Sequence, residues 1–187
     1  MHQNCRMFAF MLSDTSYIQI DIEDSPFQEL DDALSYWNDR KLGCEFPSWK
    51  NIDLIELHPK LIPRICVVDV ENAPLDFKYR FWGSEITNMH KLDFTGRSIL
   101  EVPPAKYAEI LFQQYEAVTV SKAPKIFVNR FENENGYRSQ YAVVRMPLSS
   151  STEGQIGHIL SAETYGEDFQ SLSKLFEVFA NRDDTND

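Results

Sequence analysis

One histidine that could bind a metal or titrate near neutral pH ends a short predicted helix. An imidazole such as that of His90 could ligate haem iron or change its charge near neutral pH. No second metal-type ligand lies near it in sequence, and a histidine at a helix C-terminus commonly interacts favourably with the helix dipole. Haem binding is therefore disfavoured, and the dipole role is the favoured interpretation.

Two arginines lie on predicted strands and could hold an anionic ligand. Either Arg80 or Arg145 could point inward and bind a carboxylate or phosphate with two parallel hydrogen bonds. Pairing with one of the 29 acidic residues at the surface is the favoured alternative.

Aromatic side chains at inward-facing positions could line a pocket for an apolar or planar ligand. The candidate ligand-binding residues are Tyr79, Phe81, Trp82, Met89, His90, Phe94, Tyr115, Phe127, Tyr141 and Arg145. Periodicity shows only that such residues face inward, so a core filled by its own side chains is an equal alternative.

No catalytic motif accompanies these residues. The sequence contains no GxSxG, Walker or HExxH motif. A triad of distant residues would become visible only in the fold. We expect a protein that is not an enzyme.

Composition limits the size, the partners and the compartment. The 187 residues are 43% hydrophobic and 13% aromatic, which is enough for one domain with a substantial core. The net charge of -11, without any basic stretch, disfavours nucleic acid and anionic membrane surfaces as partners. Cys5, Cys44 and Cys66 are odd in number and have no CxxC spacing, which indicates reduced thiols and a cytoplasmic location.

Residues 76–99 are predicted to form a strand, a short helix and a glycine turn that together position the candidate pocket. The aromatic residues of the strand alternate with polar ones, which is typical of a half-buried strand. Ser84 is predicted to cap the helix, and Asp93 with Gly96 predicts a sharply shaped loop after it.

The N-terminal part is predicted to contribute an extension and a helix. Residues 1–24 form the extension, in which scattered apolar residues favour a short edge strand over residues 16–21. Ser25 and Gln28 have the spacing of a capping box, which predicts a helix over about residues 26–41.

The remaining pattern predicts an α+β domain. Strands are expected at residues 65–70, 77–81, 125–131, 137–147 and 155–165, with a longer helix before residue 124 and an amphipathic helix at residues 167–180. Together they predict a five-stranded antiparallel sheet with helices over one face and flanking helices at both ends. The domain is expected to span residues 25–165, and residues 166–187 to form the C-terminal helix and a polar tail.

Several short motifs between about residues 30 and 165 carry a family resemblance. They are Tyr36-Trp37 with Arg40, Pro59-Lys60-Leu61-Ile62-Pro63, Asp69-Val70, Phe77-Lys78-Tyr79-Arg80 with Gly83, Asp93-Phe94-Thr95-Gly96-Arg97, and Pro147-Leu148-Ser149. With the order of the elements, they resemble the PAS domain superfamily of sensory modules, and more narrowly a bacterial family of small, mostly stand-alone PAS proteins. The resemblance implies a PAS fold and a sensing or signal-relay role, and it implies no catalytic residues.

The resemblance leaves the cofactor unknown. Asn4, Cys5 and Arg6 are similar to the triplet around the photoactive cysteine of flavin-binding light sensors. No glycine precedes this triplet and no Phe-Leu-Gln follows it, so we identify no flavin motif.

The leading hypothesis is a sensory module that binds a small molecule, a protein partner or both, and that forms a homodimer. The alternative is an interaction or dimerisation adaptor with a filled cavity and no ligand. In that case the interface is expected on two apolar helix stripes, which consist of Phe27, Leu30, Leu34 and Trp37, and of Phe169, Leu172, Phe176 and Phe179.

Overall fold

The computed structural model describes residues 12–133, 136, 138–150 and 154–183, without the side chains at positions 12, 13, 133 and 178–183. Its strands are β1 (Leu12–Ile20), β2 (Ile65–Asn72), β3 (Leu75–Trp82), β4 (Lys125–Asn133), β5 (Arg138–Ser149) and β6 (Ile156–Thr164). Its α-helices are α1 (Gln28–Asp39), α2 (Ser84–His90), α3 (Ala105–Ser121) and α4 (Phe169–Asp183). The Asn-Cys-Arg triplet, the side chain of Phe179 and the end of the polar tail lie outside what the structure describes.

The strands form one antiparallel sheet in the order β1-β4-β5-β6-β2-β3. The last strand, β6, lies in the middle of the sheet and joins the early hairpin to the late strands. The predicted α+β fold with one antiparallel sheet is confirmed, but the sheet has six strands rather than five. The sixth is the edge strand predicted over residues 16–21, which pairs with β4 over Leu12–Ile20, and its weak pattern reflects an edge strand with few buried side chains.

The two faces of the sheet carry different helices. Arg145 and Ser161 are cross-strand partners and therefore point to the same side, which we call the inner face. Gln114 of α3 hydrogen-bonds to Arg145, so α3 covers the inner face. Thr164 has the opposite strand phase and hydrogen-bonds to Glu29 of α1, which places α1 on the outer face. Helix α1 is the flanking helix predicted at the N-terminal end of the domain, and it lies on the face opposite α3.

Helix α1 is held on the sheet by its apolar stripe. The indole N–H of Trp37 also donates a hydrogen bond to the Pro147 carbonyl at 2.8 Å. The predicted capping box is absent, because Phe27 takes the N-cap position in extended conformation and the Ser25 hydroxyl accepts instead from the Phe27 N–H. The helix consequently starts at Gln28 rather than at residue 26.

The predicted interface stripes lie largely inside one copy of the chain. Leu30, Leu34, Trp37, Leu172 and Phe176 are all buried in the hydrophobic core. Phe27 and Phe169 are partly buried and pack against that core. The five buried side chains could contact a second copy only if their helices left the core.

The passage from β3 to α2 depends on a close backbone approach. A Cβ at Gly83 would lie 2.2 Å from the Pro63 carbonyl oxygen, so only glycine fits there. Gly83 is also the N-cap of α2, and the predicted Ser84 cap does not form. After α2, the Asp93 carboxylate accepts from the Thr95 N–H at 2.8 Å and Gly96 has a φ of +83°, which confirms the shaped loop.

Candidate ligand-binding core

Nine of the ten predicted ligand-binding residues are buried, and Phe81 is the exception. Tyr79 pairs with Val68 and Phe81 pairs with Val67, so Arg80 is an extra residue in a β-bulge. The bulge turns Phe81 to the outer face and lets Trp82 join Tyr79 on the inner face, with ring centroids 4.4 Å apart. Simple alternation over this strand, which placed Phe81 with Tyr79, is therefore wrong.

One group of polar side chains on the inner face, which we call the arginine cluster, consists of Gln114, Tyr115, Asn129, Arg145 and Ser161. The Arg145 guanidinium donates to Gln114 Oε1 from Nε at 3.1 Å and from Nη2 at 2.9 Å, and to Ser161 Oγ from Nη1 at 3.1 Å. Its Cζ lies 4.0 Å from the centre of the Tyr115 ring. Gln114 Nε2 donates to Asn129 Oδ1 at 2.7 Å. Of the two candidate arginines, Arg145 is therefore the one that points inward.

Arg80 has the surface role that the sequence favoured. Its Nε and Nη2 donate to the two carboxylate oxygens of Asp69 at 2.5 and 2.9 Å. Asp69 also contacts Nδ1 of His158 at 2.7 Å. Arg80 is thus paired outside the core and is removed from the candidate site.

Hydroxyl and thiol groups near the arginine cluster are protonated at neutral pH. Burial raises the pKa of the Cys66 thiol to about 11. Burial also raises the pKa of Tyr115 well above its ordinary value. Cys66 Sγ and the Tyr115 hydroxyl lie 3.6 Å apart. These groups can donate or accept hydrogen bonds, but none of them is an activated nucleophile.

A second group, which we call the aromatic cluster, consists of Trp82, His90, Phe94, Tyr107 and Phe176. The His90 ring centroid lies 5.2 Å from that of Trp82, 6.2 Å from that of Tyr107 and 3.9 Å from that of Phe176. Burial lowers the pKa of His90 to about 3, so its imidazole is neutral. The predicted helix-dipole role needs a charged imidazole and is therefore corrected.

Three buried polar atoms of the inner face have no hydrogen-bond partner among the residues described. They are Trp82 Nε1, His90 Nδ1 and Asn129 Nδ2. Two of them belong to the aromatic cluster and one to the arginine cluster. Tyr107 links the two regions, because its ring stacks on His90 and its hydroxyl hydrogen-bonds to that of Tyr141, the cross-strand partner of Asn129.

Sequence reasoning missed the polar partners in the core, namely Asn129, Ser161 and Glu163. Asn129 alternates with buried Phe127 and Phe131, and the other two alternate with Ile159 and Tyr165. A polar residue in the buried phase of a strand was the available signal. Burial raises the pKa of Glu163 to about 7, although its carboxylate accepts a hydrogen bond from the Tyr165 hydroxyl at 2.6 Å.

The described residues contain neither a candidate metal site nor a helix that could span a membrane. No group of three or more histidine, cysteine, aspartate or glutamate side chains could hold a metal ion in the part of the chain that the structure describes. In the same part, every helix is too short or too polar to cross a bilayer.

The chain is similar to known proteins in sequence and in structure. A family model described as PAS domain matches residues 27–160. No curated protein matches the chain. The solved structure of an RNA-binding light-oxygen-voltage receptor aligns with 92% of the chain at a TM-score of 0.39 and 11% sequence identity. The chain spans 44% of the length of that receptor chain.

Proposed function

Because the chain belongs to the PAS domain family of sensory and signalling modules, we propose that it senses or relays a signal by binding a small molecule in its interior. The binding site that we propose comprises the arginine cluster and the aromatic cluster. The module itself carries out no catalysis, and the protonated thiol of Cys66 supports this part of the proposal. The free thiols of Cys44 and Cys66 fit action in a reducing cytoplasm.

The observation that carries the proposal is the set of unpartnered polar atoms on the inner face. Trp82 Nε1, His90 Nδ1 and Asn129 Nδ2 are buried without partners among the described residues. Leaving a buried polar atom unpaired costs about 1–3 kcal/mol, so each such atom in a native core needs an explanation. Hydrogen bonds to a small molecule would remove this cost at all three positions.

Helix α4 provides a route from the interior to a partner. Its Phe176 contacts His90, and the Ser173 hydroxyl donates to the Asn88 carbonyl of α2 at 3.4 Å. A ligand that hydrogen-bonds to His90 changes the surface on which α4 packs. We propose that this change alters contacts with another protein or with a second copy.

Native mass spectrometry of the full chain purified from its source tests the proposal. We expect an additional mass that denaturation releases and that is weaker in a Trp82→Phe variant, which keeps an aromatic ring but loses the indole donor. A Trp37→Phe variant is the matched control, because the Trp37 donor is already bonded to Pro147. A native mass equal to the denatured mass, in protein that also fails to bind added small molecules, would overturn it.

The second candidate is an adaptor with a filled core and no ligand. The close packing of the aromatic cluster favours it, because rings such as those of His90 and Phe176, 3.9 Å apart, already occupy much of the interior. An adaptor predicts no retained molecule and partner binding that is unchanged in Trp82→Phe. A retained molecule contradicts it.

A further inference from the structure

We propose that the ligand of the interior site is a small carboxylate with a single negative charge, which the guanidinium of Arg145 binds. This inference deepens the proposed function and rests on it. It concerns the chemical class of the ligand. The unpartnered atoms of the aromatic cluster do not identify that class.

The first step is the charge of Arg145. Its side chain is 1% exposed, and arginine stays protonated in proteins. Other arginines of the chain have carboxylate partners: Arg40 pairs with Glu56, Arg64 with Glu85, Arg80 with Asp69 and Arg138 with Glu132. No ion pair of the described residues involves Arg145. An isolated buried charge is strongly unfavourable, so a counter-charge is expected.

The second step is the balance of hydrogen-bond donors and acceptors. A guanidinium has five N–H donors, and Arg145 uses three of them within the described structure. Because Arg145 cannot accept, Gln114 must turn its oxygen toward it and its NH₂ toward Asn129. Asn129 then accepts through Oδ1 and keeps Nδ2 without a partner. The cluster therefore has spare donors at Arg145 and Asn129, and an occupant must bring acceptor oxygens.

The third step is the number of charges. Among the side chains of the arginine cluster, only Arg145 is charged, so a single negative charge balances it. The carboxyl group of Glu163 is close enough for Arg145 to lower its pKa, but burial outweighs that effect, raises the pKa to about 7 and favours the neutral form. A water molecule could accept one hydrogen bond, but it brings no charge. Two oxygens and one charge describe a carboxylate.

The surroundings indicate an apolar body for this ligand. Tyr115 stacks under the guanidinium, and the Phe77 ring lies 5.4 Å from the Tyr115 ring. Phe112 in turn lies 5.3 Å from Phe77. The faces of such rings contact methylene chains or planar groups.

Thermal unfolding of the full chain with added probes tests the inference. The probes are sodium acetate, butyrate, benzoate and phenylacetate, each compared with its neutral amide at equal ionic strength. We expect at least one carboxylate to raise the Tm by several degrees in a saturable way, and the amides to have no such effect. Arg145→Met should weaken binding of that carboxylate by at least about tenfold. Arg80→Met removes a surface guanidinium and should leave the binding unchanged.

A second variant keeps the test valid if Arg145→Met does not fold. Asn129→Leu retains the arginine, removes the spare amide donor, and should also weaken the carboxylate response. The inference is overturned if no carboxylate raises the Tm, if amides act as strongly as carboxylates, or if the response survives in both variants. A retained neutral molecule found by native mass spectrometry would contradict the inference while the proposed function stands. Without any retained molecule or probe response, both fail.

Discussion

Glu163 is a carboxyl group that the fold keeps away from water on the central strand β6. Burial raises its pKa to about 7 from an ordinary value of 4.5, against the opposing effects of the Tyr165 hydroxyl and Arg145. Glu85 adds a repulsive contribution in the same direction as burial. The protonated form is therefore favoured in the folded protein. Its stabilising contribution is complete below pH 4.5 and is lost as the pH rises through 7.

Replacing Glu163 with glutamine should remove this pH dependence. The amide keeps the shape of the protonated carboxyl and does not titrate. Between about pH 4.5 and pH 8, the wild type should lose roughly 3 kcal/mol of unfolding free energy relative to Glu163→Gln. Urea unfolding over this range measures the difference. Glu167→Gln, at an exposed position, should follow the wild type. Parallel curves for Glu163→Gln and the wild type would contradict the buried titration.

His90 should act in the opposite direction. Its pKa is about 3 in the folded protein because of burial, compared with 6.5 ordinarily, so the neutral form is favoured. The stability that depends on it is complete above pH 6.5 and is lost as the pH falls toward 3. Between about pH 6.5 and pH 5, His90→Phe should lose less unfolding free energy than the wild type, by on the order of 1–2 kcal/mol. Exposed His58, changed to glutamine, is the control. Equal losses in wild type and His90→Phe would show that the imidazole is accessible to water.

At the scale of the elements, the sequence predicted the periodic apolar pattern of a helix but missed a β-bulge that interrupts the pattern of a strand. The helical stripe of α1 was visible because Leu30, Leu34 and Trp37 recur at helical spacing. The bulge at Arg80 was not visible, because one extra residue changes the phase of the strand without a signal in residue type. Sequence reasoning therefore predicted Trp82 as a pocket residue but could not exclude Phe81.

Capping was the other element-level difference, and it has a similar cause. Ser25 and Ser84 both have residue types that favour an N-cap. In the structure Phe27 and Gly83 take the N-cap positions. Phe27 packs against the core, and Gly83 lies close to the backbone at Pro63, and these contacts determine where each helix begins. Tertiary contacts, which the local sequence does not encode, thus move a helix start by one or two residues.

Helix α4 should depend on Phe176 for its attachment. This ring is 1% exposed and contacts His90, Tyr107 and Phe131. Phe176→Ala should reduce the unfolding free energy by about 3–5 kcal/mol, because it removes a ring from a packed core. Urea unfolding measures this loss, and Lys174→Ala, at an exposed position of the same helix, should have little effect. If Phe176→Asp instead abolished dimerisation and left the monomer fully stable, the core position of Phe176 would be wrong.

At the scale of the whole molecule, the order of the elements was sufficient to predict the fold. It did not predict on which face of the sheet each helix packs. Two strands, a helical segment and three strands predicted the antiparallel PAS sheet. The side of the sheet on which α1 packs depends on long-range contacts such as that of Trp37 with Pro147. In the same way, the sequence could propose Arg145 from its position on a strand, but only the assembled core shows that it has no carboxylate partner among the described residues.

The net charge of the chain predicts how copies should associate. Each copy carries a formal charge of -11, so the two halves of the proposed homodimer repel each other at long range. Added salt screens this repulsion, and the dimerisation constant should tighten by about tenfold or more between roughly 20 and 300 mM sodium chloride. Light scattering at micromolar concentration, combined with sedimentation equilibrium, measures it. Association that weakens with salt would indicate an interface made of ion pairs, and a strict monomer at every salt concentration would rule out the homodimer.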